Sequence, residues 1–493
     1  MRIPRCALIA ACVFITSIGF AQSWNDVMKT IPAIPREFRG VWIATVDNID
    51  FPSSRNLPTD IQKQEITAIL DQCVAMNINA VIFQVRTMCD AFYESRYEPW
   101  SAFLTGTMGN KPSPYYDPLQ FIIEEGHKRA LEVHAWFNPY RARHPGDKSN
   151  PTPDHISKAK PHLVKSYSSY LWLDPSLKEV QDHSMNVILD VVRRYDIDGV
   201  HIDDYFYPYK VSGLDFPDTE SWQQYKSSGG TMSRAEWRRQ AVNIFVERYY
   251  KEVKQIKPWV KVGISPFGIW RPGYPAGVVG MDQYNDIYAD ARLWLQKGWV
   301  DYFTPQLYWP IASSGQPYKK LLSWWVEQNT FGRHIWPGNF TSKYDPDEII
   351  AQVKATREQR GATGNVHFSM KPFMQNKNGL SVKIKQSAYN DAVLIPASPW
   401  IDSVPPAKPT LNVTPERGSA KLLTVQVPGN EYVTKWIYYY YARGAWRITI
   451  IPALGNPVLT LNLTPENTPD LVAISAIDRA GNESERAMVL LKQ

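Results

Sequence analysis

The stretch with the most chemical content runs Tyr195-Asp196-Ile197-Asp198-Gly199-Val200-His201-Ile202-Asp203-Asp204-Tyr205-Phe206-Tyr207-Pro208. It ends a short apolar run with two adjacent carboxylates, set among aromatic residues and a proline. Burying carboxylates there is costly unless they pair, bind or react. Glycosidic cleavage needs two carboxyl groups, one protonated to assist the leaving oxygen and one ionised as nucleophile or base. Asp203 alternates in phase with His201. Asp204 sits where the run ends, and a helix cap or salt bridge is its plain structural role. A partner carboxyl could follow an earlier run, from Asp47, Asp50, Asp90, Glu94 or Glu98. Asp301 opens its run and belongs at the opposite end of the fold. His134, His201 and Asp203 share a phase that could hold a metal. The aromatic surroundings suit sugar rings better, and no metal or cofactor is expected.

Positioning such acids is the task of alternating strands and helices. Eight short runs qualify as strands: 38–46, 80–86, 132–138, 199–205, 261–267, 302–309, 334–340 and 366–371. Helical patterns at 60–76, 118–130, 176–195, 233–256, 290–298, 318–329 and 345–360 separate them. This alternation predicts an α/β fold of the (β/α)8 TIM-barrel class, with its site at the C-terminal strand ends. A doubly wound sheet is the alternative, but no Gly-rich phosphate loop follows the first run. Within runs, one phase is apolar and the other polar. The polar phase holds Gln84 and Arg86, then His134, Trp136 and Asn138, then His201, Asp203 and Tyr205, then Thr304, Gln306 and Tyr308, then His367, Ser369 and Lys371. Polar residues late in five runs argue for a site inside the barrel.

The rest of the chain bounds the function. The net charge is +6; discounting Arg2 and Arg5 in the leader leaves +4, too little and too evenly spread for nucleic acid. With 18 Trp and 27 Tyr, either an aromatic core or sugar-stacking surfaces follow. Residues 1–21 (MRIPRCALIAACVFITSIGFA) read as a secretory signal peptide cleaved before Gln22, which implies a periplasmic, envelope or secreted protein. A lipoprotein signal ending at Cys12 is the rival. No later run is long and apolar enough to span a membrane. Cys73 and Cys89 remain, and their spacing does not imply a bond. Three segments follow: a barrel over 22–396, a Pro-rich linker over 397–409, and a small all-β sandwich over 410–493 with alternating runs. Tyr438 to Tyr441 could bind sugar there, or be shared between core and surface.

Several pieces together resemble the bacterial glycosyl-hydrolase-like 10 family. They are Arg39-Gly40-Val41-Trp42, Asn48-Ile49-Asp50-Phe51-Pro52, Phe83-Gln84-Val85-Arg86 through Asp90-Ala91-Phe92-Tyr93, and Glu98-Pro99-Trp100-Ser101. They continue with Ala135-Trp136-Phe137-Asn138-Pro139-Tyr140, the Asp203-Asp204 segment, Gly263-Ile264-Ser265-Pro266-Phe267-Gly268, and Asp301 through Trp309. Arg86-Thr87 stands where the family usually has Arg-Pro. The resemblance implies glycoside hydrolase activity and, for some members, a peptidoglycan glycan substrate. It implies Asp203, Asp204 and Glu98 as catalytic residues. Substrate contacts would come from Gln84, Arg86, Asp90, Trp136, Asn138, His201, Tyr205, Gln306 and Tyr308. Residues 198–205 also resemble the fourth strand of chitinase-type barrels, with Asp203 on its last Asp but Tyr205 at the acid position. The Asp478-Arg479-Ala480-Gly481-Asn482-Glu483-Ser484 segment resembles the end of a fibronectin type III module. A barrel that binds glycan without cleaving it, and a hydrolase of dietary or host glycans, are the competing expectations.

Overall fold

In the computed structural model residues 23–417, 420–429 and 431–491 are described; the expected leader, with Cys12, lies outside them. Eight parallel strands are β1 (Phe38–Ile43), β2 (Ala80–Arg86), β3 (Glu132–Phe137), β4 (Gly199–Ile202), β5 (Lys261–Ile264), β6 (Tyr302–Phe303), β7 (His334–Ile335 and Gly338–Asn339) and β8 (Gly364–His367). A helix follows each: α1 (Thr59–Ala75), α2 (Pro118–His127), α3 (Lys178–Arg194), α4 (Arg234–Ile256), α5 (Ala291–Gln296), α6 (Tyr318–Glu327), α7 (Pro346–Glu358) and α8 (Leu380–Gln386). The two pieces of β7 flank Trp336-Pro337, where proline has no N–H for the ladder. The first piece pairs with β6 and the second with β8, so the sheet closes on itself. The result is a (β/α)8 barrel, as the alternation predicts.

Local chemistry explains the helices. Asp117 caps α2 by accepting from the Gln120 N–H at 3.0 Å, and Pro118 occupies the first helical position. Ser233 and Glu236 form a reciprocal capping box on α4. Along α3 the buried residues Val180, Ser184, Val187, Ile188 and Val191 recur at helical spacing and face the strands.

The lumen is filled by aromatics rather than by the usual branched aliphatics. Phe38 stacks on Trp336 at 3.6 Å, Trp336 on Tyr302 at 4.8 Å, and Tyr302 on His201 at 5.8 Å. Rings this large need space from neighbouring strands. A Cβ on Gly263 would lie 1.9 Å from the Tyr302 ring, and one on Gly199 would lie 2.6 Å from His134.

Strands β4, β5, β6 and β8 stop short of their expected ends, so Asp203, Asp204 and Tyr308 lie beyond the ladder, while Gln306 is held by isolated bridges to Phe267 and Gly338. The expected facing of β8 is reversed. Val366 packs in the lumen with Phe38 and Trp42, while His367 points to the helix layer and bonds Tyr389 Oη at 2.8 Å. Asn339 and Asn365, with Thr356 and Tyr318, form a polar network behind it that holds α6 and α7.

The C-terminal part is all β, in two sheets. Strands β9 (Thr410–Pro415), β10 (Lys421–Gln426) and β13 (Val458–Leu463) form one; β11 (Lys435–Ala442), β12 (Ala445–Pro452), β14 (Leu471–Ile477) and β15 (Ala487–Leu490) form the other. Trp436, Tyr438 and Tyr440 pack between the sheets, whereas Ile437 and Tyr439 pack outward on Ile34 and Leu394. The tyrosine run is therefore core and interface, not a sugar platform. This part sits under the N-terminal ends of the barrel strands. Arg479 pairs with Asp196 at 2.7 Å, and Trp400 donates to Asp301 at 2.9 Å. Cys73 and Cys89 are both buried and form no disulfide. Among the described residues no helix is long and apolar enough to cross a membrane.

Candidate active site

A cleft of about 220 Å³ opens at the C-terminal ends of the strands. Trp42, Trp136, Tyr205, Tyr308 and Phe368 give it aromatic surface, and Gln84, Asp203, Asp204, Ser265 and Gln306 give it polar groups. Arg141 and His144, from the excursion after β3, complete it. A few convergent polar groups on an aromatic surface are what a sugar-binding cleft requires.

Both acids of the Asp203-Asp204 pair are in this cleft and nearly inaccessible, at 5% and 3% exposure. Asp203 Oδ2 accepts from Asn138 Nδ2 at 2.6 Å and from Trp136 Nε1 at 3.1 Å. Burial, and then the neighbouring Asp204 charge, push the Asp203 carboxyl up to about 7. Asp204 is also raised by burial, but hydrogen bonds from Tyr209 and Gln306 favour its ionised form. One proton and one negative charge can thus be held side by side near neutral pH. Acid-assisted cleavage of a glycosidic bond requires one protonated and one ionised carboxyl.

The other sequence candidates divide by position. Trp136, Tyr205, Gln306 and Tyr308 line the cleft. Gln84 lines it too, but its Oε1 accepts from the Thr45 and Val46 N–H groups, both at 2.9 Å, and its Nε2 donates to Asn138 at 2.6 Å. It therefore fixes the loop after β1. Asn138 is wholly buried and serves Asp203. His201 lies beneath, with Trp42 Nε1 at 3.2 Å and Tyr302 Oη at 3.1 Å on its two nitrogens; burial holds it well below the usual imidazole range. His134 is spent likewise on Tyr302 and Glu132. The His134, His201 and Asp203 set is thus no cation site.

Glu98 does not fit the acid role expected of it. It is forked by Arg86 at 2.6 and 2.7 Å and bonded by His183 at 2.8 Å. Burial, the largest single influence, would raise its carboxyl, but the Arg86 charge and the hydrogen bonds from His183 and Arg86 together outweigh it and hold it at about 2. It stays ionised and paired, away from the cleft. Arg86, expected to touch sugar, is consumed by Glu98 and the Asn138 carbonyl. Asp90 is also out of reach, buried and accepting from Thr87 and Met88 within its own turn. Of the remaining acids, Asp50 is raised to about 6 by burial and ties the β1 loop to Ser369 at 2.8 Å. Glu94 is exposed and bonds Tyr115.

Sequence reading missed Arg141, His144, Tyr209 and Trp42. Arg141 follows the Phe137-Asn138-Pro139-Tyr140 turn directly after β3, and a cation just past a strand end was the available signal. His144, lowered to about 4 by burial and by the Arg141 charge, is neutral at physiological pH.

A closed barrel with buried acids at its mouth suits a glycoside hydrolase, and the family and named relatives of the chain place it in that class. The chain belongs to the glycosyl hydrolase-like 10 family, whose family model matches residues 37–343. It is 39% identical over 474 residues to glycosyl hydrolase YngK of Bacillus subtilis (strain 168), covering 91% of this chain and 92% of that protein. It is 37% identical over 339 residues to glycosyl hydrolase DigH of Escherichia coli (strain K12), covering 63% of this chain and 76% of that protein. Among solved structures, alpha-L-fucosidase isoenzyme 2 from Paenibacillus thiaminolyticus aligns with a TM-score of 0.46 at 12% identity, over 76% of this chain and 52% of that one.

Proposed function

We propose that the protein is an exported glycoside hydrolase that cuts a polysaccharide, most simply the glycan strands of peptidoglycan, with Asp203 as general acid. Asp204, ionised beside it, is the nucleophile or base. The observation that carries this reading is the Asp203 carboxyl raised to about 7 next to a second buried aspartate inside an aromatic cleft. Export rests on the basic start and apolar run of residues 1–21. The three-strand and four-strand sheets at the C-terminus support a fibronectin type III-like module. Docked under the barrel, it would act as a base for the catalytic part.

The test is mass spectrometry of products after the purified mature protein is incubated with intact and with peptide-free peptidoglycan glycans. Saccharide fragments that disappear with Asp203→Asn support both the activity and the acid. Full activity in that variant removes Asp203 from the reaction. Folded wild-type protein that binds glycan and releases nothing from these substrates or from a panel of other polysaccharides indicates a binding role instead.

A further inference from the structure

Of the buried arginines, Arg141 and Arg239 form no ion pair among the described residues, and of these two Arg141 lines the cleft. Arg39, Arg86 and Arg238 each contact a carboxylate, at 2.6, 2.6 and 2.7 Å. Arg141 is equally buried, at 4% exposure, and forms no ion pair among the described residues. It is nevertheless rigidly placed. Its Nε donates to the Thr87 carbonyl at 2.9 Å and its Nη2 to Asn138 Oδ1 at 3.0 Å. Its guanidinium lies 5.3 Å from the centre of the Tyr205 ring. A desolvated cation held in a cleft without a counter-ion acts on whatever charge shares that cleft.

That charge is the acid pair. We propose that Arg141 is the positioning residue of the reaction: it clamps Asn138 onto Asp203 and supplies the positive charge against which the Asp203–Asp204 pair ionises. Two bonds carry the clamp. Arg141 donates to the oxygen of the Asn138 amide, whose nitrogen donates to Asp203 Oδ2. Gln84 donates to the same oxygen at 2.6 Å, which fixes the orientation of the amide. The Arg141 charge favours the ionised form of both aspartates. The other titratable groups facing the pair are Tyr205 and Tyr209 from its own loop, Tyr308 after β6, and His144 beside Arg141. Burial holds those tyrosines in the phenol form and His144 in the neutral form through the neutral range. Arg141 is thus the fixed positive charge of the cleft.

This inference rests on the proposed reaction, so its first readout needs no substrate. Infrared titration of the full-length mature chain, with Asp203→Asn identifying the band, follows the protonated carboxyl of Asp203. In Arg141→Met the midpoint moves to higher pH by about one unit, and in Arg141→Lys it stays in place. With an active substrate, both limbs of the pH profile of kcat move the same way in Arg141→Met, while Arg141→Lys loses kcat about tenfold with its limbs unmoved. A midpoint that stays in place in folded Arg141→Met overturns the proposal. So does a comparable shift in Arg141→Lys, which can be measured even if Arg141→Met does not fold. Failure of the glycan assay alone would count against the proposed function and leave the titration result standing.

Discussion

The two ends of the barrel use the same residue types for opposite purposes. At the base, Glu132 lies 2.8 Å from Lys261 and Asp198 lies 2.9 Å from His127. Burial opposes ionisation there, but the cations outweigh it, holding Glu132 at about 2 and Asp198 below the usual carboxylate range. At the mouth, Asp203 and Asp204 are as deeply buried, yet no cation forms an ion pair with them among the described residues. Burial and mutual repulsion win, and Asp203 rises to about 7. A neutralised carboxylate is a structural element, whereas an unneutralised one beside a second acid keeps its proton to higher pH at some cost in stability. Glu98 makes the contrast sharper. It is near the mouth in sequence but, forked by Arg86, it belongs electrostatically with the base.

The largest expected effect is on turnover. Asp203→Asn should lower kcat by about 10²–10⁴-fold, measured by product release at the wild-type pH optimum. If the mouth is the reactive end, no carboxylate of the base should match that loss. Next is Glu98→Gln, which leaves Arg86 buried without its counter-charge. It should cost about 3–5 kcal/mol in urea unfolding, with the pH profile of the folded enzyme unmoved. The Glu98 contribution is present above the unfolded value of about 4.3 and is lost as pH falls through the folded value of about 2. Asp198→Asn should cost less, about 1–3 kcal/mol, with kcat unchanged. A fall in kcat comparable to that of Asp203→Asn would erase the distinction between the two ends. The smallest effect is on the slope of stability with pH. The folded Asp203 carboxyl binds its proton more tightly than the unfolded one, so wild-type stability falls as pH rises from about 4 to about 7. Asp203→Asn should flatten that slope and melt higher than wild type at pH 7.5, by calorimetry.

Much of this was written in the chain. Alternating runs and helices specified the barrel, because strand and helix periods differ and short loops leave few topologies. Phase within the runs placed Gln84, Trp136, His201 and Asp203 on the inner side, since successive side chains alternate by backbone geometry. Reversal of β8 was invisible because its inner partners, Phe38 and Trp42, come from β1, far away in sequence. The roles of the acids were equally hidden. Asp203 and Glu98 are both carboxylates near strand ends, and a sequence cannot state which of them meets an arginine.

Residue type and spacing alone therefore determined the architecture, the end of the barrel that holds the cleft and the aspartate pair within it. Local backbone physics sets those features. Tertiary structure decided the charge state: it delivered Arg86 and His183 to Glu98, left Asp203 beside Asp204, and brought Arg141 near the Tyr205 ring from the short strand 141–143 that follows β3. Electrostatic energy depends on distance and burial in space, and both are fixed only when the strands close.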